Sequence, residues 1–456
     1  MLRPDFGAEA CELTIRGTPL GATTGRSQAS APQDSPGFAA FKQASELAGL
    51  VRPQGCPPAE PASPAGGQVA NPQTVATTSW EDHEFRNPGR TKKSKRKARR
   101  RTAFEIRDGL RPISIPRVAG CGHRRIAAHV EVSRRLEKRA DGLANQRATY
   151  RGLLRCGSVW ECPVCASQIR TQRALELEEA VEVWGASCVA MLSLTVRHGF
   201  GDNLKQSRRG VSGSFSRLIR GAPWKRFCSK LELKHHVRAL EVTHGPEHGW
   251  HPHLHVLFFL DDAPSEELLA EATEWLRARW AVCVRRALGK EFVPNSHGVD
   301  LRLSKRADYL VKSGWELLDP GAKRGRGRNR TPLQIATAAA LNKRPEDQAL
   351  WTTYCDDMRG AKMLTWSTGS RKELGLGEER SDQEIVGVEE EQSEAEPVAI
   401  IDGATWDRVR HRPGLACTIL EVVERAAGAT AGFEGVQELL RDRKRSGADP
   451  PVRGCL

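Results

Sequence analysis

Three histidines at alternating positions have the spacing in this sequence that most clearly predicts chemistry. His251, His253 and His255 lead directly into the apolar segment 256–260. Because successive side chains of a β-strand point to opposite faces of the sheet, a strand here places all three imidazoles on one face. Imidazole is the commonest protein ligand for metals. The spacing therefore predicts a metal site on a sheet, whereas a single histidine would more often be a buried core residue.

The segment before the histidines supplies an acidic partner. Residues 236–243 also have the composition of a strand, and residues 244–249 that of a turn, so together they predict a β-hairpin. If the hairpin is symmetric, Glu241 lies opposite His253 on the same face. Glu241 is therefore a third candidate ligand, and a solvent-facing strand carboxylate is the alternative interpretation. Two imidazoles and a carboxylate can hold a divalent cation that keeps positions open for a phosphate oxygen.

A tyrosine further along the chain is a candidate nucleophile. Residues 261–288 predict a long helix, residues 299–303 a short strand, and residues 306–312 a second helix. Tyr309 and Lys312 are three residues apart, so they project from one face of that helix. A tyrosine can attack phosphorus directly, and a neighbouring ammonium favours the phenolate. Taken alone, the pair is also typical of a half-buried structural tyrosine.

The cysteines indicate a second metal site. Cys162 and Cys165 form a CxxC knuckle, which places two thiolates on one tight turn, and Cys156 precedes it closely. A further ligand from Cys121 or His123 would complete a tetrahedral structural zinc site. A redox pair and inert buried thiols are the alternatives.

Charge and composition indicate a polyanionic partner. The 456 residues carry a formal net charge of +14, and nucleic acid is the leading partner class for so basic a chain. Two basic runs, residues 91–101 and 321–330, and the arginines of a Gly/Ser/Arg-rich connection at 201–214 and just beyond it could contact phosphates or simply be solvated. The candidate contacts in the two runs are Lys92, Lys93, Arg99, Arg100, Arg324, Arg326 and Arg328.

The sequence gives no indication of a membrane protein. No run of 18 or more apolar residues occurs, and the N-terminus lacks the apolar stretch of a signal peptide. We therefore expect a cytoplasmic protein without a membrane partner. Residues 1–101 are rich in Pro, Ala, Gly and Ser without sustained periodicity, which predicts a disordered leader that ends in the basic arm.

Taken together, these segments resemble the HUH endonucleases, and among them the replication initiator (Rep) proteins of rolling-circle plasmids. The resemblance covers roughly residues 115–378. The segments that carry it are residues 191–196, 240–243, 250–256 and 307–312, with the cysteine segment 156–165 and residues 364–367 as flanks.

The resemblance implies an α+β fold in which a central antiparallel sheet of about five strands is flanked by helices. It also implies Mg²⁺ or Mn²⁺ at Glu241, His253 and His255, with His251 in a supporting position, and Tyr309 as the nucleophile that nicks one strand of a single-stranded or hairpin origin. The product would be a 5′-phosphotyrosine and a free 3′ hydroxyl that primes synthesis by a bacterial host polymerase, with a host helicase as a further partner.

The expected organisation follows from this resemblance and from composition. In chain order it comprises the leader (1–101), a cysteine-rich zinc-binding segment with a helix (115–185), an HUH nicking domain (186–378), an acidic linker (379–396) and a small helical C-terminal appendage (397–456). Two other functions fit some of the same residues. An HUH transposase or relaxase would cut and rejoin DNA, and a zinc-containing DNA-binding regulator would use the histidines structurally.

Overall fold

The strands that carry the alternating histidines lie in the middle of a mixed α+β structure. A computed structural model describes residues 92–138, 144–303, 328–391, 395–442 and 453–454, with only the backbone described at the ends of several of these segments. All of them belong to one unit, residues 52–456.

Helices and strands alternate irregularly along the described chain. The helices are α1 (Lys92–Leu110), α2 (Pro116–Ala119), α3 (Pro163–Trp184), α4 (Leu204–Leu218), α5 (Gly221–Leu231), α6 (Glu266–Ala287), α7 (Pro332–Thr337), α8 (Pro345–Met358), α9 (Ser370–Glu373), α10 (Asp382–Glu391), α11 (Gly403–Arg410), α12 (Leu415–Arg425) and α13 (Ala429–Asp442). The strands are β1 (Val130–Lys138), β2 (Ala144–Arg151), β3 (Val189–Leu194), β4 (Leu233–Gly245), β5 (Gly249–Leu260), β6 (Val299–Leu303), β7 (Leu364–Trp366), β8 (Glu396–Ile401) and β9 (Arg453–Gly454).

The central sheet has five strands in the order β6-β3-β5-β4-β7, and every neighbouring pair is antiparallel. This confirms the expected fold class. β5 is the middle strand, and the alternate residues Leu254, Val256 and Phe258 on one of its faces are fully buried. The metal-ligand candidates occupy its opposite face, because side chains alternate along a strand.

Helices cover the apolar face of this sheet. The Phe215 ring of α4 meets the edge of His236 on β4 at a centroid distance of 5.7 Å. From α6, the buried Trp280 donates its indole N–H to the carbonyl of Thr195 at 2.7 Å, just beyond the end of β3. These contacts fix α4 and α6 against the sheet on the side away from Glu241.

The helix α4 differs from the sequence expectation. Residues 201–214 are rich in Gly, Ser and Arg and were expected to form a connection, but the helix already begins at Leu204. Asn203 caps it by accepting a hydrogen bond from the Gln206 N–H at 2.9 Å. Gly210 serves packing, because a Cβ at this position would lie 2.1 Å from the Leu288 side chain at the end of α6.

A second sheet, absent from the sequence expectation, has the order β2-β1-β8-β9. Helix α12 packs against it, and the buried Tyr150 of β2 donates its hydroxyl to the Ala416 carbonyl at 2.7 Å. Helix α1 also contacts this part of the structure, since Arg100 forms a bidentate ion pair with Glu424 of α12 at 2.6 and 2.9 Å.

The structure therefore differs from the expected organisation in three places. Residues 92–101, expected to be disordered, belong to helix α1; residues 382–391 of the expected linker form α10; and the expected C-terminal appendage supplies β8, which pairs with β1. The reason is physical: β1 and β8 are more than 250 residues apart, so no local pattern could reveal their pairing. No helix in the described part of the chain is long and apolar enough to span a membrane.

Candidate metal centre

The β4–β5 hairpin determines where the candidate ligands lie. In its ladder Glu241 is directly opposite His253, and Ala239 is opposite His255, which is the register predicted from the sequence. Gly249 opens β5 with a φ of +69°, and a Cβ there would lie 3.0 Å from the Phe200 carbonyl. Glycine is therefore required at this turn, both for its backbone conformation and for the close approach of the neighbouring loop.

Glu241, His253 and His255 form a compact donor group. The Glu241 Oε2 lies 3.0 Å from the Nε2 of His253 and 3.2 Å from the Nε2 of His255. The potential ligand atoms of the three residues all lie within 4.8 Å of one another. Two imidazole nitrogens and one carboxylate oxygen at this separation could bind a divalent metal ion.

The opposite ring nitrogens of both histidines have partners that orient the imidazoles. The His253 Nδ1 lies 3.3 Å from the His251 carbonyl oxygen, an acceptor only, so Nδ1 donates its proton there. The His255 Nδ1 lies 3.1 Å from the Ser193 hydroxyl of β3. An Nδ1–H tautomer leaves the lone pair on Nε2, which is the nitrogen that faces Glu241 in both residues. The geometry therefore suits metal binding through the two Nε2 atoms.

His251 occupies the same face but stands apart from this donor group. Its ring stacks on His198 at a centroid distance of 4.3 Å and an interplanar angle of 9°. Burial lowers the pKa of His251 to about 3, so the ring is neutral at physiological pH. Such a neutral, stacked ring next to His253 is consistent with the supporting position expected for it.

Ser193 also orients one of the candidate metal ligands, and its role was not predicted from the sequence. It lies opposite His255 in the β3–β5 ladder, and its neighbour on the other side is Asp300 of β6. The sequence did contain a signal for this role, because Ser193 is the polar residue in the otherwise apolar segment 189–194. The alternation of side chains along the strand places it on the same face of the sheet as the histidines.

The four cysteines expected to bind zinc also come together. Cys121, Cys156, Cys162 and Cys165 are buried, and three of the Sγ–Sγ distances among them are 3.5 to 3.7 Å. Four sulfurs placed about 2.3 Å from a central zinc at tetrahedral angles would lie about 3.8 Å apart. The cluster could therefore bind a metal, and its distances are far longer than a disulfide bond.

Contacts among the four cysteines shift the pKa values of their thiols in different directions. Hydrogen bonds from the thiols of Cys156 and Cys162 lower the pKa of Cys121, whereas the pKa of Cys156 is raised by its bond to Cys121. His123, the alternative fourth ligand, points elsewhere: its Nε2 lies 2.9 Å from the Asp108 carboxylate. The geometry thus selects Cys121 over His123 as the fourth member.

Comparison with known proteins assigns the chain to a family. A family model described as "Replication protein" matches residues 155–412, which is more than half of the chain. The chain belongs to this replication protein family. The matched region includes both strands of the metal hairpin and three of the four clustered cysteines, so the family resemblance drawn from the motifs is confirmed.

Curated relatives of this replication protein are similar over part of their length. A "Protein rep" of Streptomyces lividans is 26% identical over 295 residues, covering 49% of this chain and 64% of the relative. A "Protein rep" of Lentilactobacillus hilgardii is 26% identical, covering 36% and 54%. A "Neomycin resistance protein" of Streptomyces cyanogenus is 30% identical, covering 30% and 41%. The chain thus spans less than two thirds of each of these relatives. No solved structure matches it.

Several predicted site residues of the replication protein lie outside this geometry. Tyr309, Lys312, Arg324 and Arg326 fall in residues 304–327, beyond the described part of the chain. Their roles stay predictions.

The remaining predicted phosphate contacts have mixed surroundings. Arg328 is exposed and lies 3.5 Å from the Glu247 carboxylate. Lys92 and Lys93 are in α1, where only the backbone is described at these positions, and Arg99 is exposed on the same helix. Arg100 is held by Glu424, so it is poorly placed to meet a DNA phosphate.

Proposed function

We propose that this replication protein initiates rolling-circle replication of a plasmid by nicking one DNA strand at an origin, with Tyr309 as the nucleophile. The observation that carries the proposal is the Glu241, His253 and His255 donor group on the central sheet of a chain that belongs to the replication protein family. We infer a metal-dependent endonuclease and strand transferase, with origin DNA in single-stranded or hairpin form as its substrate.

The proposed reaction is a transesterification at a DNA phosphate. The phenolate oxygen of Tyr309 forms a bond to phosphorus, and the bond between phosphorus and the 3′ oxygen breaks. The leaving 3′ oxygen takes up a proton and becomes a free hydroxyl, while the 5′ phosphate stays on the tyrosine. The free 3′ end would then prime synthesis by a host polymerase, with a host helicase opening the duplex.

The side chains of the hairpin would act by positioning. A divalent cation such as Mg²⁺ or Mn²⁺, when bound, would polarise the scissile phosphate. The His251 carbonyl and the Ser193 hydroxyl hold the two ligand imidazoles in orientation. Lys312, three residues after Tyr309 in the sequence, would favour the phenolate or balance the phosphate charge. The zinc that we assign to the four cysteines would have a structural role.

The proposal is tested by trapping the covalent adduct. The full chain is incubated with Mn²⁺ and a 5′-labelled or 3′-labelled single-stranded origin oligonucleotide, and the products are resolved on a denaturing gel. We expect wild-type protein to join the fragment that carries the 5′ phosphate, and Tyr309→Phe to form no adduct. Adduct formation by Tyr309→Phe would refute the assignment of the nucleophile.

A matched control is available among the three tyrosines of the chain. Tyr354 is fully buried, its ring stacks on Trp250 and Trp351, and its hydroxyl meets the Arg170 guanidinium. Because Tyr354→Phe keeps the packed ring and removes only this one polar contact, it is expected to fold and to form the adduct at the wild-type level. Loss of the adduct in both variants would mean that the tyrosine-to-phenylalanine changes act through folding.

A further inference from the structure

A basic groove lies along the outer side of α4. It has a volume of about 690 Å³ and is lined by α4, by residue 220 beyond it, and by Ala287 and Leu288 at the end of α6. Its cationic lining residues are Lys205, Arg209, Arg217 and Arg220. No carboxylate lines the groove.

Three of the four cations of the groove share one side of the helix. At 100° per residue, positions 205, 209 and 217 fall within about 120° of the helix circumference, and the 15 residues of α4 extend about 22 Å. Arg220 lies just beyond the end of α4, where it caps α5 in an extended conformation. All four side chains are exposed. None of them forms an ion pair with a carboxylate in the described part of the chain. One carboxylate lies nearby, since Asp357 accepts a hydrogen bond from the Lys205 backbone N–H at 3.3 Å. The row of exposed positive charge creates a positive local potential that attracts a polyanion.

The floor of the groove is made of small residues. Gly213 and Ser216 lie between the cations, and a Cβ at Gly213 would meet no atom within 4 Å. The φ of Gly213 is not positive, so neither backbone conformation nor close packing requires glycine here. Its effect is to keep the floor low, which lets a sugar–phosphate backbone approach the helix.

The groove contains no aromatic residue. Unpaired bases bind proteins largely by stacking on aromatic rings, so single-stranded DNA would find no platform here. Duplex DNA instead presents a regular row of phosphates, with a rise of about 3.4 Å per base pair, so the length of α4, about 22 Å, corresponds to about six base pairs. The chemistry of the lining therefore favours duplex DNA over single-stranded DNA.

The groove and the metal ligands lie on opposite sides of the central sheet. Helix α4 packs through Phe215 against His236 and Arg238 of β4. These even-numbered positions face away from Glu241, because side chains alternate along the strand. The thickness of the sheet and of one helix separates the two sites, so the nucleotides held in the groove are not the nucleotides at the metal centre.

We propose that this groove is a second DNA site, which binds the phosphate backbone of duplex DNA that flanks the nick. This inference rests on the proposed function, because it assigns the groove to the same origin DNA. In this proposal the duplex is bound by Lys205, Arg209, Arg217 and Arg220, whereas the strand is cut on the opposite face of the sheet, at the metal ligands.

Duplex binding is measured separately from cutting. The fluorescence anisotropy of a labelled short duplex is recorded in EDTA, where no nicking takes place, at a series of NaCl concentrations. The variant Arg209→Gln/Arg217→Gln/Arg220→Gln is compared with wild type and with Lys343→Gln/Arg344→Gln/Lys362→Gln. The control removes the same charge from exposed positions outside the groove.

We expect the groove variant to bind duplex roughly tenfold or more weakly, and its log–log salt slope to fall by about 0.9 for each lost phosphate contact. The control variant is expected to retain the wild-type slope. Cleavage of a short single-stranded oligonucleotide with Mn²⁺ should stay at the wild-type level in both variants, which shows that they are folded.

A single-site pair provides an independent test. Gly213→Ala and Gly213→Glu both replace a helical glycine where space is open, so both should fold at least as stably as wild type. The glutamate places a negative charge on the floor of the groove, whereas the alanine adds only a methyl group. We expect Gly213→Glu to weaken duplex binding and Gly213→Ala to leave it close to wild type.

Two results would overturn the groove proposal. Either the arginine variant and Gly213→Glu bind duplex as wild type does, or the control variant loses as much affinity as the groove variant. A failure of the nicking proposal is distinct from both, since it would show as wild-type protein that binds duplex in EDTA but forms no adduct with the single-stranded oligonucleotide.

Discussion

Glu241 and His253 face each other across the β4–β5 ladder, with their Oε2 and Nε2 atoms 3.0 Å apart. The same carboxylate oxygen lies 3.2 Å from the Nε2 of His255. Two imidazoles thus converge on one carboxylate oxygen, and the hairpin register brings them there. A one-residue shift in register would move Glu241 to the opposite face of the sheet.

The first prediction concerns metal affinity at this site. Glu241→Gln removes the only charged donor of the group, so we expect the affinity for Mn²⁺ to fall at least roughly tenfold. Isothermal titration calorimetry of the zinc-loaded protein measures this directly. Glu247→Gln, at the exposed turn of the same hairpin, is the matched control and should bind Mn²⁺ like wild type. Equal affinity in Glu241→Gln would exclude this carboxylate as a ligand.

The second prediction concerns acid sensitivity. Burial lowers the pKa of His236 to about 4, with smaller contributions from His235 and Arg238. The unfolded state, with a histidine pKa near 6.5, therefore binds more protons than the folded state, so stability is lost as the pH falls below about 6.5. Between pH 7 and pH 5 this residue alone should cost on the order of 2 kcal/mol of unfolding free energy.

Urea unfolding at pH 7, 6 and 5 tests this expectation. In His236→Leu the decrease in unfolding free energy between pH 7 and pH 5 should be smaller than in wild type by that amount. His297→Leu changes an exposed histidine and should reproduce the wild-type pH dependence. If His236→Leu did so as well, the acid sensitivity would have to come from other groups.

The third prediction concerns the cysteine cluster. We expect purified protein to contain about one zinc per chain, and Cys162→Ser to contain close to none, because a tetrahedral structural site needs all four ligands. Loss of zinc should unfold residues 121–165 without directly abolishing binding of Mn²⁺ at the hairpin. Elemental analysis and thermal unfolding provide the measurements. Cys228→Ser, a free cysteine outside the cluster, should keep its zinc, and wild-type protein without zinc would contradict the assignment.

The fourth prediction concerns the contact between helices α1 and α12. Glu424 is buried on α12 and accepts hydrogen bonds from the Arg100 guanidinium and from the Ala148 N–H at 3.1 Å. Glu424→Gln leaves the half-buried Arg100 without its carboxylate, so we expect a loss of about 2–4 kcal/mol in unfolding free energy. Glu434→Gln, at an exposed position of α13, should change stability little. Equal stability of the two variants would mean that α1 is not anchored through this pair.

The sequence by itself determined the parts of the fold that depend on local patterns. The period-two alternation of residues 236–243 and 250–256 fixed the faces of two strands, and their symmetric turn fixed the register that pairs Glu241 with His253. The CxxC spacing likewise placed Cys162 and Cys165 together. Both are relationships across short stretches of chain, where backbone geometry leaves few alternatives.

Only the tertiary structure decided the relationships between distant segments. It selected Cys121 rather than His123 for the cluster, paired β1 with β8, and bound Arg100 to Glu424. It also showed that most of the Gly/Ser/Arg-rich segment 201–214 belongs to a helix, residues 204–218, with one basic side. These contacts depend on which surfaces meet when the whole chain packs, and periodicity within a segment carries no information about its partner in space.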